Sequence, residues 1–392
     1  MANRRTPNQD AAGFVLGQYR GDGTFAMSPS GEACNLLSTC FGVLAFDLVG
    51  WLGSMPKTER ARMADRIRAC QNAETGAFFD ASFGQPVYGA HSRSYIERQC
   101  TDFAVMALDI LGAAPAHPLR LDGQYQGTAW LDSLNWADPW LASNEVMFAL
   151  NALLRDARPD TADAVLDWLD AHQDSRNGCW NLGHRVSTLN QMAGAFHFLI
   201  FHSYLGRTPR HIERIVDTVL MLQDRDGLFS YPGGGGSCED LDAVDLLCRA
   251  AFYTDYRHGD VVRAVQKAYH ALWANQNTDG GFCWAKRNRL SLRTLAHAVR
   301  PDLWRSSRAD FRAHLSAKLR NQWRIFTRAP EETWTFSGIE TTRLPLSASD
   351  LWSTWFRLLA IASIEKTFPE AASGETFPWR MRTGPGLGFY RR

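Results

Sequence analysis

The stretch "QDRDGLF", residues 223–229, sets a glutamine before a polar turn, a glycine and an aromatic ring. The same order returns as "QYRGDGTF" from Gln18, "QNAETGAFF" from Gln71, "QDSRNGCW" from Gln173 and "QNTDGGF" from Gln276. The spacings are 53 (18 to 71), 102 (71 to 173), 50 (173 to 223) and 53 (223 to 276), and the gap of 102 is two periods. Its midpoint, near residue 122, holds a degenerate copy, "LDGQYQGTAW". Six units of about fifty residues result, and a period in that range marks a repeat architecture in which each unit buries its apolar face against the next.

Between the turns lie segments that are apolar nearly all round, such as "CTDFAVMALDILG" (100–112), "NQMAGAFHFLIFHSYLG" (190–206) and "DLDAVDLLCRAAF" (240–252). Segments just before the turns, such as "RARMADRIRAC" (60–70) and "RHIERIVDTVLML" (210–222), carry one charged face. The first kind suits buried inner helices and the second suits outer helices. The expected fold is all-α: an (α/α)6 toroid of about six two-helix repeats with a central cavity, occupying residues 1–392 as one domain. The sixth repeat carries an insertion around 285–345, and its inner helix is read at 347–362. Each glutamine is expected to cap turn backbone while an aromatic such as Trp180, Phe229 or Phe282 packs beneath it.

Composition narrows the function. Hydrophobic residues make up 45% and charged ones 21%, and the formal charge is +1 with basic residues scattered, so no electrostatic footprint for nucleic acid is present. The first twenty residues lack the apolar core and small-residue cleavage site of a secretory signal. Asp47 and His197 break the most apolar stretches well short of the roughly 20 residues a spanning helix needs. Eight cysteines include no C-x-x-C pair, so reduced thiols and a cytoplasmic location are expected, with peripheral membrane contact as a variant of it.

The turns resemble the QW repeats of the squalene cyclase (terpene cyclase) and protein prenyltransferase β-subunit superfamily, over nearly the whole chain. The resemblance implies parallel inner helices whose N-terminal ends ring one mouth of the cavity. The polar residues read near those ends are Asn35, Asp102, Asn144, Glu145, Asn190, Gln191, Glu239, Asp240 and Asp350. Helix N-capping by itself accounts for a single Ser, Asn or Asp at each end.

Capping does not account for "GGGGSCEDLDAVDLL", residues 233–247, which places Glu239, Asp240, Asp242 and Asp245 within seven positions. Glu239, Asp242 and Asp245 follow at i, i+3 and i+6 along a drifting helix face. Repulsion among them and burial among leucines favour a proton on Asp242, whereas the helix dipole favours the anion. The cluster therefore reads as a proton donor, as a cation site, for which Mg is the candidate, or as a solvated face. Class II terpene cyclases carry D-x-D-D on this scaffold, and "DLDA" matches it with Asp240 and Asp242, Ala243 standing for the third Asp. The resemblance implies that Asp242 protonates an alkene or epoxide and that no cofactor is needed. Cation-stabilising rings would come from Trp136, Trp140, Phe196, Trp352 and Trp355. The D-x-C zinc pairing of the prenyltransferases and the D-D-x-x-D magnesium-diphosphate motif are absent.

His184 with Arg185 reads either as an anion contact at the mouth or as surface loop. His197 reads as a hydrogen-bonded core residue. The function favoured is a class II terpene cyclase-like enzyme acting on an isoprenoid. A carbohydrate-active (α/α)6 enzyme, hydrolase, lyase or epimerase, is the alternative, because Asn35, Asn144, Asn190 and Gln191 suit a hydroxylated glycan and paired carboxylates serve as acid and base. A non-catalytic toroid binding protein is the third reading.

Overall fold

The computed structural model describes residues 7–30, 34–84, 91–121, 123, 125–156, 158–286, 296, 308–327, 333–373 and 377–386. In chain order the first helices are α1 (Pro7–Gln18), α2 (Leu36–Leu48), α3 (Lys57–Arg68), α4 (Arg93–Leu111), α5 (Ala129–Asp132), α6 (Pro139–Arg155) and α7 (Pro159–His172). They continue as α8 (Thr188–Tyr204), α9 (Ile212–Leu222), α10 (Ser237–Ala250), α11 (His258–Trp273), α12 (Arg308–Thr327) and α13 (Leu351–Thr367). Helices α2, α4, α6, α8, α10 and α13 form the inner wall: each packs on the next, and α13 closes the ring on α2. Every residue of α2 is buried, as an all-round apolar sequence requires. Helices α1, α3, α7, α9 and α11 lie outside, and all but α1 turn a charged face outward. Between α4 and α6 the described residues hold only the four-residue α5 as a helix; residues 122 and 124 of the degenerate copy lie outside the described residues. Among the described residues no helix is long and apolar enough to cross a membrane.

The repeated glutamines stitch neighbouring repeats together. In four turns the side-chain Nε2 donates to the carbonyl of the turn glycine: Gln71 to Gly76 at 2.8 Å, Gln173 to Gly178 at 2.8 Å, Gln223 to Gly227 at 2.9 Å and Gln276 to Gly280 at 2.9 Å. Each amide also reaches the next outer segment, at His117, His211, Ala264 and Pro7 respectively. The last of these joins the final turn to the first helix. Gly280 shows why glycine is needed: its φ is 88°, and a Cβ there would lie 2.2 Å from the Asp10 carbonyl oxygen. Beneath the turns, Phe78, Trp180, Phe229 and Phe282 are buried. Gln18 departs from the pattern, since its Nε2 bonds within α1 to the Phe14 carbonyl.

The segment after the Gln276 turn departs from the two-helix repeat. Strand β1 (Phe282–Cys283) pairs antiparallel with β4 (Ser349–Asp350), and β2 (Thr333–Thr335) pairs antiparallel with β3 (Arg343–Pro345), Trp334 opposite Leu344. Helix α12 rests on α8 and is anchored by a buried Lys318–Asp224 ion pair at 2.7 Å. The last inner helix begins at Leu351 and not at 347, because Ser349 and Asp350 are drawn into the β1 ladder. At the opposite end, residues 377–382 cross the C-terminal ends of α13 and α2: Trp379 Nε1 donates to Glu365 at 2.7 Å, and Arg382 pairs with Asp47.

Because the Gln276 amide bonds both its own turn, at Gly280, and the first helix, at Pro7, Gln276→Ala is expected to cost about 1–3 kcal/mol, read as a lowered urea midpoint.

Candidate functional site

The N-terminal halves of α4, α6, α8, α10 and α13 enclose a cavity of about 510 Å³. Its rings are Tyr95 and Phe103 from α4, Trp140 and Phe148 from α6, Phe196 from α8, and Trp352 and Phe356 from α13. The β2–β3 hairpin adds Trp334 and Phe336, and Trp284 stacks on Trp334 with ring centres 4.3 Å apart. On the α10 side the cavity meets Cys238, Glu239 and Asp242.

The four carboxylates of α10 have four different surroundings. Asp240 is buried and pairs with the equally buried Arg357 at 3.0 Å. It also accepts the backbone N–H of Phe229 at 2.9 Å and of Gly236 at 3.1 Å, while Arg357 donates to the carbonyls of Cys283 and Trp284. Burial pushes the Asp240 pKa up and the guanidinium pulls it back. This residue was expected as part of the acid motif; the structure makes it a tie between repeats. In the second and sixth repeats the same job, accepting the N–H of the turn aromatic, is done by Thr101 for Phe78 and Thr354 for Phe282. Asp245 pairs with Arg249 inside the wall and does not line the cavity. Glu239 folds back over the helix start, where a Cβ on Gly236 would come within 2.2 Å of its Oε2. Gly235, at φ 84°, likewise leaves room for the Asp240–Arg357 pair. The glycine run exists because these side chains pack on bare backbone.

Asp242 is the remaining one. It is 2% exposed, it lines the cavity, and its Oδ2 has no hydrogen-bond partner among the described residues. Burial raises its pKa well above the ordinary carboxyl value, and the charges of Glu239, Asp245 and Asp240 raise it further. Counting from the tie residues, Asp242 stands two positions after Asp240, as Phe103 stands after Thr101 and Phe356 after Thr354; both phenylalanines line the same cavity. Asp242 is therefore a carboxyl in a position that other repeats fill with an aromatic ring.

The remaining candidates divide. Trp140, Asn144, Asn190 and Trp352 line the cavity. The Asn144 amide donates to the Trp140 carbonyl at 3.1 Å, and Asn190 accepts the Trp140 N–H at 3.0 Å while donating to Asp138 at 2.9 Å, so both amides serve the helix starts. Trp352 donates to Cys238 Sγ. His197 also lines the wall, 2.8 Å from Ser143 Oγ, and burial lowers its pKa to about 3, which keeps it neutral.

Several expected positions belong elsewhere. Asn35 caps α2 by accepting the Ser38 N–H at 2.9 Å. Asp102 lies mid-helix, because α4 starts at Arg93, and faces a separate pocket beside Asn151 and Arg155; burial raises its pKa to about 7. Glu145 forms a two-armed ion pair with Arg98. Gln191 accepts from Asn177 and Asn181. Trp136 is core, stacked on Trp168. His184 is exposed on its turn. Asp350 caps α13 through the Ser353 N–H and, like Asp102, is raised to about 7 by burial. The rings of Trp334, Phe336 and Phe103 were not expected in the site; the register of Phe103 to Asp242 across repeats is the signal that finds one of them. Among the described residues no group of three or more His, Cys, Asp or Glu side chains is placed to hold a metal ion.

Two outcomes follow. Arg357→Met leaves Asp240 buried without its cation and is expected to cost about 3–5 kcal/mol in chemical denaturation. An unfolded Asp titrates near ~3.9, and the folded Asp242 titrates above that. Its drag on stability is therefore absent below the unfolded value and grows as pH rises toward the folded one. Asp242→Asn should gain stability over the parent progressively from pH 4 to pH 8 in urea titrations; a difference flat with pH means that Asp242 is not raised.

A family model, the prenyltransferase alpha-alpha toroid domain, matches at residues 4–94, 26–138 and 138–289. No curated protein matches the chain. Among solved structures, the chain is similar to a variant of the type II terpene cyclase MstE from Scytonema in complex with geranylgeranyl dihydroxybenzoate, at 14% identity and a TM-score of 0.49 over 93% of this chain and 97% of that one. The apo MstE structure gives 14% identity and 0.45 over 93% and 98%, and a glycosidase in complex with glucose gives 12% and 0.28 over 91% and 96%. With residues 4–289 matched and six parallel helices closing an inner ring, the chain belongs to the prenyltransferase alpha-alpha toroid family.

Proposed function

We propose that the protein is a class II terpene cyclase-like enzyme in which Asp242 protonates an isoprenoid bound in the aromatic cavity. The observation that carries this reading is the Asp242 carboxyl itself: buried, unpartnered at Oδ2, beside three other acids and facing rings. A neutral carboxylic acid near neutral pH is the form that donates a proton. In the reaction the O–H bond breaks and a C–H bond forms at one alkene carbon, leaving the cation on the more substituted neighbour. Successive alkenes then attack, the last cation loses a proton to solvent, and Asp242 regains one from solvent, so the overall change is an isomerisation. Rings such as Phe103, Phe196, Trp352 and Phe356 offer negative π faces to the migrating charge, and a wall of this kind keeps out the water that would quench it.

The carbohydrate reading draws less support, because the amides of Asn144 and Asn190 are engaged by backbone and by Asp138, while Asn35 and Gln191 lie in the helix and turn scaffold.

Incubation with squalene, geranylgeraniol and geranylgeranyl diphosphate, followed by mass spectrometry of the organic extract, is expected to give a cyclic isomer of one of them. Asp242→Asn should lower its formation by at least about a hundredfold. A variant that retains the parent rate removes Asp242 from the acid role.

A further inference from the structure

In the reading above, the α10 acids and the aromatic wall serve to protonate a hydrocarbon chain. They leave two hydrogen-bonding groups of the hairpin unused. Trp334 and Ser337, both on the β2–β3 hairpin and both 8% exposed, line the same cavity as Asp242. Neither the Trp334 Nε1–H nor the Ser337 hydroxyl has a hydrogen-bond partner among the described residues. An indole N–H can only donate, so what completes it is an oxygen acceptor.

The hairpin holds these groups at some conformational expense. Ser337 is in the left-handed region, at φ 57° and ψ 13°, where a non-glycine residue is uncommon and strained. Glycine would sit there without strain, so the serine side chain brings something that glycine lacks. The loop is tied shut by Thr342, whose hydroxyl bonds the Phe336 carbonyl at 2.7 Å, and Trp334 is fixed by its stack on Trp284 and an edge contact with Trp352 at 6.1 Å. The two donors thus belong to a loop tied by its own hydrogen bond and by ring contacts.

Charge decides what kind of oxygen they receive. Asp138, Glu239 and Asp242 line the cavity, and among the described lining residues there is no lysine or arginine. In a low-dielectric space a phosphorylated headgroup would be repelled by the ionised members of that set. A hydroxyl or carbonyl oxygen accepts hydrogen bonds through two lone pairs and brings no charge.

We propose that Trp334 and Ser337 form a subsite for a neutral oxygen function, a hydroxyl or carbonyl, carried by the isoprenoid substrate. The inference rests on the isoprenoid reading above and specifies the substrate within it: an oxygenated, uncharged isoprenoid, and neither a pure hydrocarbon nor a diphosphate.

The test is equilibrium binding to the full-length chain, in detergent, of three radiolabelled C20 probes: geranylgeraniol, the same chain with methyl in place of the hydroxymethyl group, and geranylgeranyl diphosphate. Geranylgeraniol is expected to bind at least about tenfold more tightly than the other two, one hydrogen bond's worth of preference. Ser337→Gly, which relieves the strained backbone, and Trp334→Phe, which keeps the stack on Trp284, should each reduce that preference severalfold without lowering the melting temperature followed by circular dichroism. Equal binding of alcohol and hydrocarbon would mean that ordered water alone completes the two donors, and the subsite falls. Tightest binding of the diphosphate overturns the charge argument, and a preference unchanged in both variants overturns the assignment of the residues. Measuring the same series in Asp242→Asn separates this from the acid role: binding preference there is read without turnover, so loss of either conclusion leaves the other standing.

Discussion

The buried pair of Asp240 and Arg357 fixes the geometry on which the site depends. Its carboxylate holds the turn before α10 through the N–H groups of Phe229 and Gly236, and its guanidinium holds β1 and the residue after it through the carbonyls of Cys283 and Trp284. Two inner helices and two turns are locked by one fully hydrogen-bonded ion pair. Such a pair adds little net stability over an apolar substitute, but it is costly to break from one side, and so it enforces one arrangement. Asp242, half a helical turn further on, inherits its orientation from that lock.

The same lock explains how four acids can crowd one helix start. Two of them have guanidinium partners, Asp240 with Arg357 and Asp245 with Arg249. Glu239 lies over glycine backbone at the helix N-terminus, where the helix dipole favours negative charge. Asp242 is denied all three and faces rings. Desolvation then governs its chemistry, with the neighbouring negative charges acting in the same direction. A carboxyl that would be ordinary in water is thereby shifted toward its neutral form.

The insertion supplies what the repeats cannot. Helical repeats build a wall and a ring of N-termini, but their mouth stays open; the β2–β3 hairpin brings Trp334, Phe336 and Ser337 to that mouth, and α12 pins the insertion to the ring through Lys318 and Asp224. The toroid supplies the cavity's sides and the α10 carboxyls, whereas the non-repeating segment adds the rings of Trp284, Trp334 and Phe336 to its lining.

The period of the glutamine turns was enough to give the helical toroid, because a fifty-residue unit with one apolar and one amphipathic helix has few ways to bury its surface other than to stack and close. The crowding of acids at the start of α10 was legible too, since four carboxylates at one helix start exceed what capping requires. What pairwise contact decides was not legible. Asp240 and Arg357 are 117 residues apart, and nothing in the spacing of "DLDA" says that its first acid is neutralised by a distant cation while its second is left bare. Nor does sequence say that α4 and α6 begin up to a turn or two earlier than their apolar runs, which moves Asp102 and Glu145 out of the mouth. Local pattern fixes which face of a helix is buried; only packing across the ring fixes what each buried group meets, and for an ionisable group that meeting determines its charge.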